Sequence, residues 1–159
     1  MAVLLITPEK CTNCRACEVA CSMAHEEEFN PSRSRVRVLA RTAGEKAVPV
    51  TCLQCDDAGC MAVCPAHAIT DDVVTGARLI NETRCIKCTM CMQICAFGAT
   101  FQDERSRKML KCDLCDGDPL CAKACPSGAI VSGEAATANA AKRLVAARKM
   151  KVFSKGGRG

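Results

Sequence analysis

The chain has 159 residues and a formal net charge of +5, with sixteen cysteines, four phenylalanines and neither tryptophan nor tyrosine. That length excludes a large multidomain enzyme, and cysteine at about a tenth of the residues means that cysteine chemistry, not an aromatic-filled core, dictates the fold. Every acidic residue lies at or before Glu134 and seven basic residues follow it, so a body near neutrality carries a basic tail.

In chain order, the apolar run Ala2 to Ile6 has no basic residues before it and no cleavage site after it, which argues against a secretion signal. No window approaches the roughly 18 uninterrupted apolar residues of a bilayer span. The expectation is a cytoplasmic protein with no membrane span. The first cysteine group follows, Cys11, Cys14, Cys17 and Cys21, with a short helix over Glu18 to Ala24. Val36, Val38 and Ala40 alternate with Arg35, Arg37 and Arg41 before Ala43-Gly44-Glu45-Lys46 turns into Ala47 to Val50, a hairpin pattern. The second group is Cys52, Cys55, Cys60 and Cys64, and a second hairpin is expected over Ala68 to Ile80 with Thr75-Gly76 near its turn. The third group, Cys85, Cys88, Cys91 and Cys95, carries a short helix over Met92 to Ala96, and a third hairpin runs from Ala99 to Leu110. The fourth group is Cys112, Cys115, Cys121 and Cys125. Beyond it, Glu134 to Phe153 is alanine-rich and free of glycine and proline, which predicts a helix capped by Ser132 and ending before Gly156-Gly157.

Four groups of four leave no cysteine over. The segments Cys64-Pro-Ala-His-Ala-Ile, Cys95-Ala-Phe-Gly-Ala-Thr and Cys125-Pro-Ser-Gly-Ala-Ile repeat one pattern, which is internal duplication. In a reducing compartment sixteen thiols are not held as disulfides, which leaves metal ligation or redox chemistry. A [4Fe-4S] cubane needs one thiolate per iron. A C-x2-C-x2-C loop wraps three corners, turning backbone N–H groups toward the sulfides, and in the bacterial two-cluster arrangement the fourth cysteine of a run ligates the other cluster. Structural zinc favours two separated C-x2-C knuckles, so three cysteines at consecutive spacings in one loop argue against it. Four [4Fe-4S] clusters account for all sixteen thiols, and His25 and His67 are then surface groups or neighbours of ligands.

These quartets, the second and fourth widened between their second and third cysteines, resemble the four-cluster polyferredoxin subunits of multi-subunit oxidoreductases, including those of molybdenum and tungsten pterin enzymes such as aldehyde oxidoreductase and formate dehydrogenase, and partners of hydrogenase and carbon monoxide dehydrogenase. The resemblance spans Thr7 to about Val131. It implies an α+β fold of two nested bacterial ferredoxin-like units with short β-hairpins and short helices, plus a C-terminal helix. The outer unit would comprise 1–51 and 101–132, the inner unit 52–100, and the basic helical arm 133–159. It further implies crossed ligation. Cys11, Cys14 and Cys17 would share cluster one with Cys125, and Cys112, Cys115 and Cys121 would share cluster two with Cys21. Cys52, Cys55 and Cys60 would join Cys95 in cluster three, and Cys85, Cys88 and Cys91 would join Cys64 in cluster four. Ala96 follows Cys95 where the family commonly has proline, which alters the local loop and leaves ligation intact.

With oxidised clusters contributing about −2 each, the formal charge of +5 becomes about −3, which removes the case for a basic nucleic-acid binder. The sequence contains no nucleophile–base pair, flavin fingerprint or phosphate loop, so no catalytic residue is assigned. The expected role is a non-catalytic relay of single electrons between a catalytic subunit and a second redox partner such as a flavoprotein or ferredoxin. The size points first to a tungsten or molybdenum aldehyde oxidoreductase. The alternatives are a diffusible polyferredoxin and the equivalent subunit of a formate dehydrogenase or hydrogenase. The basic arm is expected to dock on another subunit or another copy of this chain.

Overall fold

The computed structural model describes residues 2–40 and 47–134. Eight short strands pair only in twos, always antiparallel. β2 (Val36–Leu39) pairs with β3 (Val48–Thr51), β4 (Ile69–Asp71) with β5 (Arg78–Ile80), and β6 (Thr100–Gln102) with β7 (Met109–Lys111). These are the three hairpins that the alternation and the turn residues predict. In β2 the alternation is literal: Val36 and Val38 are buried while Arg37 and Leu39 face outward.

The fourth pair closes the chain on itself. β1 (Ala2–Ile6) lies antiparallel to β8 (Ile130–Glu134), with Ala2 opposite Glu134 and Ile6 opposite Ile130. Approach across this pair is close, since a Cβ on Gly133 would stand 3.2 Å from the Leu5 side chain. Ser132 therefore lies inside a strand opposite Leu4 and is not a helix cap, because its backbone groups are committed to the β1 ladder. The helix expected over Glu134 to Phe153 falls outside the described residues apart from Glu134, which ends β8.

Four helices complete the described elements: α1 (Ala16–Glu26), α2 (Gly59–Ala62), α3 (Met90–Ile94) and α4 (Leu120–Lys123). Each contains the third cysteine of its group near its start, and α1 alone is long enough to carry the fourth as well. None of the helices among the described residues is long and apolar enough to cross a membrane.

The core follows from the composition. Leu4, Val36, Val38, Leu114 and Ile130 pack with the buried thiols of Cys17, Cys21, Cys112 and Cys121, and a smaller cluster joins Ile69 and Met109 to Cys91. Among the described residues the phenylalanines do not fill it: Phe29 is 68% and Phe97 49% exposed, and Phe101 lies under the Arg37 guanidinium, 3.9 Å from its ring centre. A partly buried ion network ties the α1 end of the molecule to the β6–β7 turn. Arg33 bonds Asp103 through two nitrogens at 3.2 Å and also pairs with Glu26 and Glu28. The planar fork suits this bidentate contact.

Candidate metal centres

Each cysteine loop uses backbone that L-residues rarely adopt. The residue two places after the first cysteine is left-handed in every group: Asn13 (φ 60°), Gln54 (48°), Lys87 (59°) and Leu114 (61°). In three groups the residue after the second cysteine is left-handed too: Arg15 (57°), Thr89 (64°) and Asp116 (54°). None of these is glycine, and each costs about 1–2 kcal/mol that the surroundings must outweigh. In the fourth group Cys115, between Leu114 and Asp116, is left-handed as well (47°), and left-handed residues of this kind turn backbone N–H groups into a concavity, a nest suited to an anion.

The fourth cysteine sits in a second repeated turn. The carbonyls of Cys64, Cys95 and Cys125 accept from the amides of His67 (3.1 Å), Gly98 (3.1 Å) and Gly128 (3.3 Å), all left-handed at φ 46°, 59° and 63°. The next amide then reaches back to the thiol: Ala68 N–H donates to Cys64 Sγ at 3.3 Å and Ala99 N–H to Cys95 Sγ at 3.4 Å. At Cys125, burial raises the thiol pKa, and the Ile130 amide, the Ser127 hydroxyl and the Ala129 amide together bring it below its ordinary value. This turn is the physical content of the repeated segments. Cys21 departs from it because α1 continues past it, and its donor is the Arg35 amide at 3.3 Å.

The cysteines gather in space across groups. Cys52, Cys55, Cys60 and Cys95 line one cavity of about 200 Å³, with Arg78 and Lys111 also in its wall. Cys64, Cys85, Cys88 and Cys91 line a narrower cavity of about 20 Å³, walled otherwise by apolar side chains and Thr89. Burial pushes the Cys17 thiol up to about 11, and the charges of Glu18 and of Cys125 push the same way. Cys121 is raised by burial and by Cys112, Cys21, Cys115 and Cys17 in turn. Cys11 and Cys125 pack against the core cluster that contains Cys17, Cys21, Cys112 and Cys121, while Cys14 is exposed.

Three electrostatic proximities link the gatherings. Cys121 feels Cys17; Cys112, raised by burial to about 11, feels Cys52; and Cys91, raised by burial to about 11, feels Cys60 beyond its own neighbours Cys85 and Cys88. Clustered thiols that are buried and mutually repelling as anions hold protons that a bound cation would displace, which is the chemistry of a thiolate metal site. Four thiols around a cavity, inward amides and N–H donors to sulfur fit a [4Fe-4S] group.

Neither histidine displaces a thiol. His67 is exposed, in its strained turn. His25 is half-buried, its Nε2 bonding both Asp113 carboxylate oxygens at 3.0 Å and its Nδ1 the Cys21 carbonyl at 2.8 Å. The Asp113 bond, reinforced by Cys115 and Cys21, raises its pKa to about 12. Burial of Asp113 opposes ionisation, but His25 and the Cys115 amide hold that carboxyl down at about 2. The pair fastens α1 to the fourth cysteine loop. Sequence reasoning placed His25 beside a ligand and missed Asp113, Gln54 and Lys111. Gln54 Nε2 donates to the Cys112 carbonyl at 2.9 Å, and its Oε1 accepts from Arg78 N–H (2.9 Å) and Lys111 Nζ (3.2 Å). A residue inside a cysteine spacer is the one signal that could have marked Gln54.

Comparison with known proteins agrees with this chemistry. Residues 45–135 match the model of the 4Fe-4S dicluster domain. The chain is 42% identical over 122 residues to the polyferredoxin-like subunit of an aliphatic sulfonate oxidoreductase of Pyrococcus furiosus, covering 77% of this chain and 70% of that one. It is 31% identical to formate hydrogenlyase subunit 2 of Escherichia coli, covering 76% and 75%. Among solved structures it is similar to a chain of the active-site complex BamBC of benzoyl coenzyme A reductase, at a TM-score of 0.50 and 31% identity over 84% of this chain and 76% of that one. Family match, cysteine spacing and gathered thiols converge, and the chain belongs to the 4Fe-4S dicluster domain family.

Proposed function

We propose that the chain is a non-catalytic iron–sulfur subunit that carries four [4Fe-4S] clusters and relays single electrons between a catalytic oxidoreductase subunit and a second redox partner. The observation that carries this reading is the arrangement of the thiols: two cavities each lined by one complete crossed quartet, and proximities that join Cys17 to Cys125 and Cys121 to Cys112, Cys115 and Cys21. The ligand sets are Cys11, Cys14, Cys17 and Cys125; Cys112, Cys115, Cys121 and Cys21; Cys52, Cys55, Cys60 and Cys95; and Cys85, Cys88, Cys91 and Cys64. When bound, each cluster supplies one-electron chemistry at a potential set by hydrogen bonds to sulfur, net charge and burial. The chain's own contribution is positional. Cross-group electrostatic proximities of Cys17 and Cys121, Cys112 and Cys52, and Cys60 and Cys91 support a serial order from cluster one to cluster four.

The nested division into an outer unit (1–51 and 101–132) and an inner unit (52–100) follows from the same ligand sets, and the β1–β8 pair is the clasp of the outer one. The catalytic partner is a tungsten or molybdenum pterin oxidoreductase of the aldehyde-oxidising type. The similarity to a polyferredoxin-like subunit of an aliphatic sulfonate oxidoreductase supports a partner of the oxidoreductase class. The seven basic residues after Glu134 serve as a docking arm. Anaerobically isolated protein should hold sixteen irons and sixteen acid-labile sulfides per chain and co-purify with a catalytic subunit. Zinc in place of iron overturns the cluster reading, and a fully loaded chain that elutes alone overturns the subunit reading.

A further inference from the structure

The two inner cavities differ in one respect that the relay reading leaves unused. The wall around Cys64, Cys85, Cys88 and Cys91 contains no charged side chain. The wall around Cys52, Cys55, Cys60 and Cys95 contains Arg78, Lys111 and the exposed Asp57.

Of these, Lys111 is the anomaly. It is the last residue of β7, only 6% exposed, and its burial is complete enough that its ammonium sees little water. Nζ donates to the Arg78 carbonyl at 2.7 Å and to Gln54 Oε1 at 3.2 Å, both neutral acceptors. Among the described residues no carboxylate lies within ion-pair distance of it. Arg78 differs, since its guanidinium pairs with Asp71 at 3.2 Å. A buried ammonium without a counter-ion is expensive, and natural proteins supply one or neutralise the group. The one anion that this cavity could hold is a body bearing four thiolates.

We propose that Lys111 is the buried counter-charge of the cluster held by Cys52, Cys55, Cys60 and Cys95, and that it makes this cluster accept an electron before the one held by Cys64, Cys85, Cys88 and Cys91. The inference rests on the four-cluster reading. Reduction adds one electron, supplied by an external donor, and raises the cluster's negative charge by one unit. A cation fixed beside it in low dielectric stabilises the reduced form more than the oxidised one. Around the other cluster the nearest cations, Lys87 and Lys108 beside Cys85, are exposed, and water screens their charge.

The test is an EPR-monitored potentiometric titration of the fully loaded chain at fixed pH, with dithionite as reductant. The signal of the Cys60 cluster is identified as the one lost in Cys60→Ala. In the wild type that signal should develop before the signal lost in Cys91→Ala, and the reverse order overturns the proposal. Lys111→Met should lower the reduction equilibrium constant of the Cys60 cluster at least tenfold, about 59 mV for one electron, and leave the Cys91 cluster where it was. Lys111→Arg keeps the charge and should hold the wild-type value. Should Lys111→Met fail to load, Lys111→Gln retains hydrogen-bonding capacity without charge and should give the same shift. Unmoved potentials in both uncharged variants, or equal shifts at both clusters, overturn the role of Lys111 while iron and sulfide at sixteen each leave the relay reading standing. A wild type without those contents fails the relay reading itself.

Discussion

The turn that follows the fourth cysteine sets two residue types in one backbone conformation at three places. Gly98 and Gly128 occupy it at φ 59° and 63°, and a Cβ built on either meets nothing within 4 Å, so Gly98→Ala and Gly128→Ala add backbone strain without a clash. Left-handed backbone costs a side-chain-bearing residue about 1–2 kcal/mol. The alanine's less flexible unfolded chain returns about 0.4–1 kcal/mol of this, leaving a net destabilisation of about 1 kcal/mol. His67 already bears that strain at φ 46°, so His67→Gly should be neutral to stabilising by up to about 1 kcal/mol. Gly59, whose added Cβ would sit at an ordinary 3.5 Å from Ile94 and which needs no left-handed backbone, is the control. The assay is the rate at which the brown absorbance bleaches in guanidinium under anaerobic conditions, with cluster loss reporting unfolding. About 1 kcal/mol appearing in the unfolding barrier is about a fivefold change in rate. Gly98→Ala and Gly128→Ala should bleach about fivefold faster, Gly59→Ala no faster than wild type because it gains the chain-entropy term without the strain, and His67→Gly no faster than wild type. A His67→Gly protein that bleaches faster than wild type, with Gly98→Ala unchanged, refutes the strain argument.

Other outcomes follow from the ligand sets and the ion pairs. Cys125→Ala should abolish the EPR signal of the cluster held by Cys11, Cys14 and Cys17 and spare that of Cys112, Cys115 and Cys121; the opposite pattern means the ligation is not crossed. Iron chelation should leave a chain without fixed tertiary structure, seen as loss of backbone amide-exchange protection in the β1–β8 pair and α1, since the thiols themselves occupy the core. Asp103→Asn should cost about 1.5–3 kcal/mol at neutral pH by removing a charge-assisted pair with Arg33. Burial works against the Asp103 carboxylate, yet the Ser106 hydroxyl and amide and Arg33 hold it down at about 2. A depressed carboxylate stabilises above its unfolded value, so the gap between wild type and Asp103→Asn should close as pH falls from about 4 towards 2; a gap that widens there would contradict the sign. His25→Ala should loosen α1 from the fourth cysteine loop, seen as faster amide exchange over Ala16–Glu26.

Much of this was legible because the signals are local. The alternation from Arg35 to Ala40 and the glycine at position 76 mark two of the hairpins, since strand period and turn chemistry act within a few residues. The cysteine spacing marks the loops for the same reason. The β1–β8 clasp was not legible, because Ala2–Ile6 and Ile130–Glu134 find each other across nearly the whole chain and neither alternates strongly. Ser132 illustrates the cost: beside an alanine-rich segment a serine reads as a cap, and only the distant partner strand reassigns it. Asp113, Gln54 and Lys111 were invisible for a different reason, as each acts through a bond to a residue at least 33 positions away.

The second cysteine of each loop bears on how such a molecule would age. Cys14, Cys55 and Cys88 are exposed, whereas Cys115 is partly covered and Cys17, Cys91 and Cys121 are buried. Dioxygen or peroxide reaching the surface therefore meets three separate corners first. In the proposed holo-protein, corrosion would begin at the clusters of Cys14, Cys55 and Cys88, and the cluster of Cys115 would be the last to decay. A conductor built this way fails at both ends and at one interior station, so a single oxidised corner is enough to silence the whole line while most of its iron is still in place.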